Sequence, residues 1–293
     1  MTAQATSSGH MKQSTAPCPL LPADIINGVR DLPSLPGIVF ELLATIDAPD
    51  AGIRLLANMI SRDQALTAKT LRVANSPFYG VSTRVSTLPQ AITILGFRTV
   101  RTLVIAASVM ANFPAHADPA FDFSRFWQHA MATAISARVM APYLHVVPET
   151  AFIAGLLHDI GQLVLAVRFT PVHSGVLKWR ADHDCSMLEA ERAVTGTDHT
   201  EIGAALAMHW LFPQSIIDGV ARHHAPATDN LGLAICLANS IAHTLALGVA
   251  ADEPAPVIAA CDWARSGLDA PALEHLQLTV AQEHQGICRL LLS

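Results

Sequence analysis

Apolar residues recur at three- and four-residue steps in the first half of the chain, as the buried faces of amphipathic helices require. One such stripe runs from Ile53 to Ile60, and the next runs from Leu66 to Val73. No stretch of this half alternates apolar and polar residues as half-buried strands do. The pattern therefore predicts an all-α fold.

Prolines and glycines mark the boundaries of these short helices, and a loose stretch at 113–122 precedes a second helical block. Residues 1–23 are expected to be a disordered leader, in which Ser7–Met11 resembles a cloning linker. The remaining units are predicted to be an N-terminal helical lobe at 24–112, a second helical lobe at 123–250 and a C-terminal helical cap at 251–293.

Cap signals place the helices of the second block. Ser124 is placed to cap a helix over 125–140, and Pro148 occupies a first-turn position of a long buried helix that continues through 165. Asp198 and Glu201 are three residues apart, which predicts a capping-box-like start for the next helix.

The composition suits closely packed helices and limits the partners. Hydrophobic residues make up 51% of the chain and charged residues 14%, which leaves little polar material for the surface. An apolar patch for a partner protein or a homodimer is therefore an expectation. The net charge of −6 argues against a general electrostatic grip on nucleic acid, which we do not expect as a partner.

One segment departs from this acidic balance. Residues 62–101 carry six basic side chains against the single acid Asp63. We interpret them as solvated helix faces, with a surface for an anion, a partner or nucleic acid as the alternative.

The cysteine pattern and the hydropathy of the chain predict a cytoplasmic protein. The five cysteines are scattered and never form a C-x-x-C pair, so neither a disulfide framework nor a zinc–cysteine site is indicated. The best candidate membrane span, Leu231–Ala251, contains Asn239 and His243 among other polar residues, so we interpret it as a buried helix and expect no membrane contact.

The candidate chemistry lies in the histidines, of which there are fourteen. Imidazole and carboxylate groups together bind Fe, Mn, Ni or Zn. The adjacent His158 and Asp159 would lie about 100° apart on a helix, so they can share an ion only if other helices supply further ligands. A single histidine in an apolar segment is more often a hydrogen-bonded core residue. The candidates for those further ligands are His129, His199, His223 and His224.

The order of these residues resembles a known superfamily. The segment Ala154–Leu163, which contains Gly-Leu-Leu-His-Asp-Ile-Gly, is similar to the motif helix of HD-type metal-dependent phosphohydrolases, and His129 resembles the histidine that precedes it. His199, His223 and His224 resemble the additional histidines of the HD-GYP branch.

The first half narrows the resemblance to the HDOD family of HD-related output domains. The stretches that carry it are Leu-Pro-Ser-Leu-Pro at 32–36, Ala-Asn-Ser-Pro-Phe-Tyr-Gly at 74–80, Gln-Ala-Ile at 90–92 and Trp-Leu-Phe-Pro at 210–213. The resemblance covers about 24–250 and implies an HD-domain-like multi-helix bundle with an N-terminal helical lobe.

The resemblance also implies two metal positions bridged by Asp159. Where catalytic relatives carry a final aspartate, this chain has Asn239, whose neutral amide is a poorer ligand and weakens the first position. Where HD-GYP enzymes carry a lysine, it has Gln162, which removes a cation that could hold a phosphate. The second position, formed by Asp159 with His199, His223 and His224, keeps a full set of ligands.

These departures favour a regulatory function. We expect a non-catalytic signalling output domain that docks signalling proteins or a small anionic ligand such as a nucleotide, with a divalent metal (Fe, Mn, Ni or Zn) as its only candidate cofactor. The alternative is a metal-dependent phosphohydrolase, in which Asp159 would be essential. The remaining histidines, including His173 and His243, are assigned no role.

Overall fold

A computed structural model of the chain describes residues 22–44, 52–76, 81, 84–113, 121–249 and 255–291. Every regular element within these ranges is helical, which confirms the all-α prediction. The predicted leader lies almost wholly outside the described residues, as does 77–80 of the Asn-Ser-Pro-Phe-Tyr-Gly motif. The helices of the first half are α1 (Pro22–Gly28), α2 (Gly37–Leu43), α3 (Ile53–Ile60), α4 (Gln64–Ala74), α5 (Leu88–Leu95) and α6 (Phe97–Ala111).

The second half is built around one central helix, α7, which packs against α8, α14 and α16. Small residues such as Ala130 and Ala134 lie fully buried along α7 and allow these neighbours to approach closely. The helices of this half are α7 (Phe123–Met140), α8 (Pro148–Leu157), α9 (Ile160–Arg168), α10 (Thr170–His183), α11 (Met187–Thr195), α12 (His199–His209), α13 (Gln214–Arg222), α14 (Asn230–Thr244), α15 (Ala260–Arg265) and α16 (Ala270–Leu291).

One apolar core joins the two halves. Trp210, which is 1% exposed, donates its indole N–H to the carbonyl oxygen of Pro33 at 3.1 Å, and α16 buries Leu276 and Val280 against the bundle. Asn75 ends α4 and exchanges two hydrogen bonds with the backbone of Val85, so its side chain fixes the connection that follows the helix. The division into lobes at 24–112, 123–250 and 251–293 stays a prediction.

Two of the predicted helix starts need correction. The side chain of Asp122, not Ser124, caps α7 by accepting a hydrogen bond from the backbone N–H of Arg125. Asp198 caps α12 as predicted, but the capping box is incomplete because Glu201 accepts a hydrogen bond from Thr197 instead.

The predicted continuous helix through His158 and Asp159 was wrong. α8 ends at Leu157 and α9 begins at Ile160, and Asp159 leaves the helical region with φ −101° and ψ 10°. Asp159 thus lies in a two-residue turn between α8 and α9, and its carboxylate lies near histidines of α7 and α12.

Two glycines set how closely these helices approach. A Cβ atom on Gly155 would lie 3.0 Å from the backbone of Ala134 in α7, and a Cβ atom on Gly161 would overlap the carbonyl oxygen of His199 at the start of α12. α9 and α12 can therefore meet at this point only because residue 161 lacks a side chain. This contact brings His199 next to Asp159.

The basic segment at 62–101 does not form one solvated surface. Arg101 is only 1% exposed, and its guanidinium lies 5.6 Å from the centre of the Phe97 ring. Arg98 and Arg62 form ion pairs with Glu149 and Glu41. The interpretation as exposed helix faces is therefore wrong for Arg101, which lies in the core.

Apolar helices in the described ranges lie mainly inside the bundle. The stretch Pro148–Arg168 is long and apolar enough to cross a membrane by length and composition, but 89% of its most apolar window is buried in the fold. The pair α5 and α6 also passes this test, but a bend of 110° separates its two halves. α14 is buried along 231–242, as predicted for the 231–251 segment.

Candidate metal centre

The carboxylate of Asp159 lies at the centre of a cluster of imidazoles. Its Oδ1 atom is 3.2 Å from Nε2 of His223 and 3.4 Å from Nε2 of His199. Its Oδ2 atom is 3.3 Å from Nε2 of His158 and 4.0 Å from Nε2 of His129. Each oxygen of one carboxylate therefore faces a separate pair of histidines.

Four separate elements bring these residues together. His129 lies in α7, His158 and Asp159 lie at the break between α8 and α9, and His199 begins α12. His223 and His224 follow the end of α13. The first metal position is the group His129, His158 and Asp159, and the second metal position is the group Asp159, His199, His223 and His224.

The tautomers of three histidines are fixed by hydrogen bonds on the far side of each ring. Nδ1 of His158 lies 2.7 Å from the carbonyl oxygen of Gly155, and Nδ1 of His223 lies 2.8 Å from that of Val220. Nδ1 of His199 lies 2.6 Å from Oε2 of Glu191. Since each Nδ1–H donates to an oxygen, the Nε2 lone pair of each neutral ring points at Asp159.

This arrangement fits a divalent cation. In neutral rings the Nε2 lone pairs and the carboxylate oxygens are all acceptors, so a proton or a cation must lie between them, and a divalent ion satisfies several of them at once. Two ligand atoms bound at about 2.1 Å to one tetrahedral or octahedral ion lie roughly 3.0–3.4 Å apart. The distances around Oδ1 of Asp159 and the 3.0 Å between Nε2 of His199 and Nε2 of His224 fall in this range. Among the described residues, Nε2 of His158 and Nε2 of His223 have no hydrogen-bond partner.

Burial and charge shift the pKa values of the cluster histidines in different directions: the pKa values of His129, His223 and His224 are lowered, mainly by burial, and only that of His199 is raised. Burial, reinforced by His158, lowers the pKa of His129 to about 3. Burial would also lower the pKa of His199, but the carboxylates of Glu191 and Asp159 outweigh it and raise this pKa to about 9. Burial raises the pKa of Asp159, yet His158, His223 and His199 hold it well below its usual value. Asp159 is therefore ionised, and an ion entering the second metal position must displace a proton.

A small cavity leads to the first metal position. It measures about 170 Å³, and its polar lining includes Arg125, His129, Asp159, Gln162 and His173. Gln162 thus faces the same space as Asp159, at the place where the resemblance implies a lysine in HD-GYP enzymes. On the other side, His224 is exposed at the edge of the second metal position.

Asn239 is buried in α14, which packs against α7 and α8. Its Oδ1 atom makes no hydrogen bond to any described residue. The structure therefore brings together six of the seven predicted ligands, Asp159 and five histidines, whereas Asn239 belongs to neither group of ligand atoms within the described residues.

Two residues of the cluster were missed. Glu191 is 1% exposed and accepts hydrogen bonds from both Nδ1 and the backbone N–H of His199. His243, which was assigned no role, packs its ring against His129 with centroids 5.0 Å apart. The spacing of His243, four residues after Asn239, was a usable signal, whereas nothing local marks Glu191.

Comparison with known proteins identifies the family of the chain. The family model of the HDOD domain matches residues 32–226, and the chain belongs to the HDOD family. An uncharacterised protein of Treponema pallidum (strain Nichols) is 25% identical over 206 residues, which cover 70% of this chain and 40% of that protein. The chain thus spans less than half the length of this relative.

Solved structures share the fold. An HDOD domain protein of unknown function from Geobacter sulfurreducens is 24% identical, with a TM-score of 0.74 over 92% of this chain and 94% of the other. A Shewanella amazonensis SB2B protein, described provisionally as a phosphohydrolase, is 28% identical, with a TM-score of 0.71 over 91% and 97%. A Marinobacter aquaeolei VT8 protein, described provisionally as a signal transduction protein, is 21% identical, with a TM-score of 0.77 over 93% and 66%.

Proposed function

We propose that this chain is a regulatory output domain whose histidine cluster binds divalent metal ions and, through them, a small anionic ligand, without catalytic turnover. The observation that carries this proposal is that each oxygen of Asp159 faces a separate pair of histidines, combined with neutral residues at two chemically important places. The carboxylate and imidazoles offer ligands to two ions, while Asn239 and Gln162 stand where the resemblance implies an acid and a lysine.

The cavity beside Asp159 supports a small anion. Ligand pockets for drug-sized molecules measure roughly 300–1,000 Å³, and the cavity here measures about 170 Å³. That space suits a phosphate or carboxylate group better than a whole dinucleotide. Arg125 and His173 in its lining add donors for such a group, and a bound divalent ion would supply positive charge directly.

The ligands favour a borderline transition metal. Imidazole nitrogen with one carboxylate suits Fe, Mn, Ni or Zn better than Mg or Ca, which prefer oxygen. We further propose that the output is the docking of a signalling protein and that the chain acts in the cytoplasm. The free cysteines of the described residues, Cys185, Cys236, Cys261 and Cys288, are consistent with a reducing compartment.

Calorimetry and a turnover assay test the proposal together. Inorganic phosphate should bind to the Mn²⁺-loaded protein and not to protein kept in EDTA. The same loaded protein should not hydrolyse cyclic dinucleotides or mononucleotides over many hours. Sustained hydrolysis, or phosphate binding that is indifferent to metal, contradicts the proposal.

The second candidate is a metal-dependent phosphohydrolase, which the intact second metal position and the shared Asp159 favour. Bound ions would activate water and neutralise charge that develops on a phosphate. In that case the Mn²⁺- or Fe²⁺-loaded protein turns over, and Asp159→Ala abolishes both metal content and hydrolysis. Activity that survives this substitution excludes the mechanism.

A further inference from the structure

One face of α14 carries two buried polar atoms, and the ring that holds one of them, that of His243, lies beside His129 of the first metal position. Asn239 Oδ1 and His243 Nδ1 both lack a hydrogen-bond partner within the described part of the chain. Residues four apart share a helix face, and α14 packs against α7, which carries His129. Since an unpaired buried polar atom costs on the order of 1–3 kcal/mol, two of them on one face need a physical explanation.

The ring spacing is compatible with a shared ion. Two imidazoles bound to one ion at about 2.1 Å have ring centroids roughly 4.6–5.3 Å apart. The centroid of the His129 ring lies 5.3 Å from that of His158 and 5.0 Å from that of His243. Rings of different positions also lie this close, as His158 and His223 do at 5.1 Å, so the spacing supports a ligand role for His243 only together with its unpaired nitrogen.

His243 is also within electrostatic reach of the shared carboxylate. Burial lowers the pKa of His243, and the Asp159 carboxylate opposes this shift. Its nitrogens lie outside the group that His129, His158 and Asp159 form, so the side chain must move toward the ion to bind it. Its ring contacts His129 edge to face, with the two planes at 75°. Such mutually inclined rings are compatible with ligand nitrogens that approach one ion from different directions.

We propose that His243 is a ligand of the ion at the first metal position and replaces the acidic ligand that the Asn239 amide cannot supply. Imidazole nitrogen is a better donor than a neutral amide oxygen for borderline cations. Because His243 is neutral, the loaded site is one unit more positive than it would be with a second carboxylate. That extra charge strengthens its attraction for an anion, so this inference rests on the proposed metal binding and deepens it.

Metal stoichiometry of the full chain tests this proposal without any activity assay. Metal-free protein is dialysed against Mn²⁺ at several concentrations, and bound Mn²⁺ per chain is measured by mass spectrometry. We expect two ions for the unaltered chain, one for His243→Ala and two for Asn239→Ala. The exposed His183, in α10, gives the control His183→Ala, which should also bind two.

A rescue variant distinguishes loss of a ligand from loss of the fold. In the double variant His243→Ala with Asn239→Asp, a carboxylate returns to α14, and we expect two ions again. If His243→Ala alone loses both ions and its helical circular dichroism, His243→Gln takes its place in the comparison.

The outcomes separate the inference from the proposed function. An unaltered chain that binds no Mn²⁺, and no other divalent transition metal, overturns the proposed metal binding itself. An unaltered chain that binds one ion, or a His243→Ala variant that keeps both with unchanged affinity, overturns only the role of His243. If Asn239→Ala loses the ion at the first metal position and His243→Ala keeps it, the ligand is the Asn239 amide and not His243.

Discussion

The two metal positions share one carboxylate but differ in how their other ligands are held. In the second metal position, His199 is held by Glu191 and His223 by the carbonyl oxygen of Val220. In the first, Nδ1 of His129 is buried without a hydrogen-bond partner among the described residues, and α14 presents Asn239 without an acid. Both positions contain a histidine held by a backbone carbonyl, His158 in the first and His223 in the second, but only the second has a ligand held by a buried carboxylate.

The largest effect should come from the shared ligand. Asp159→Asn keeps the side-chain shape but removes the charge that balances both ions, so we expect Mn²⁺ affinity to fall on the order of 100-fold or more at both positions. Isothermal titration calorimetry checks this, with Asp262→Asn, remote from the cluster, as the control. Retention of one tight ion would show that Asp159 does not bridge.

Gly161→Ala should damage the second metal position in particular. The added methyl group overlaps the carbonyl oxygen of His199, so α9 and α12 must separate. We expect a loss of about 1–3 kcal/mol or more in the free energy of unfolding and weaker binding of the second ion. Urea unfolding measures the first quantity and calorimetry the second.

The matched control for this substitution is Gly175→Ala in α10, where the new methyl group would make only an ordinary contact with Val194 at 3.7 Å. It should leave metal binding unchanged and raise stability slightly, by about 0.4–1 kcal/mol. If both substitutions lower the free energy of unfolding equally, the close contact between α9 and α12 does not require a glycine at position 161.

Glu191→Gln tests the supporting hydrogen bond of the second metal position. An amide oxygen can still accept the hydrogen bond from Nδ1 of His199. Because it carries no charge, it no longer makes the imidazole a more basic metal ligand, so we expect about 10- to 100-fold weaker binding of the second ion. The first ion should bind as before. Glu189→Gln, an exposed residue of the same helix, is the control, and equal loss at both positions would count against the assignment.

The pH dependence of the metal-free protein should separate the two positions further. His129, with a pKa of about 3, stays neutral in the folded state, so stability falls as pH drops below 6.5 because the unfolded chain binds the proton. His199, with a pKa of about 9, holds a proton when folded, so its contribution is complete below 6.5 and is lost as pH rises toward 9.

Stability in EDTA should therefore pass through a maximum near pH 6.5, with slopes of about 1 kcal/mol per pH unit. Urea unfolding from pH 5 to 9 measures this profile. His129→Gln should reduce the acidic slope without abolishing it, because His223 and His224 also have lowered pKa values, and His199→Gln should flatten the alkaline side. A steady rise in stability from pH 6.5 to 5 would refute the assignment.

The sequence predicted those features that depend on a local pattern or on the order of residues along the chain. Helix periodicity gave the all-α class, and the order of His129, His158–Asp159, His199 and His223–His224 indicated the cluster. The break at Asp159 was not predictable from periodicity, since apolar residues continue through it. Glu191 was missed because its role depends on the packing of α11 beside the start of α12. Arg101 was misplaced because a cation in a helix pattern gives no sign that it will be buried.

The most direct test of the central claim is an anomalous-scattering map from crystals of the Mn²⁺-loaded chain, collected at the manganese edge. The account predicts two peaks about 3.5–4 Å apart, one near each oxygen of Asp159, with Nε2 of His199 and His223 beside one of them. A map with no peak within bonding distance of Asp159 would contradict the claim that this cluster is a metal centre.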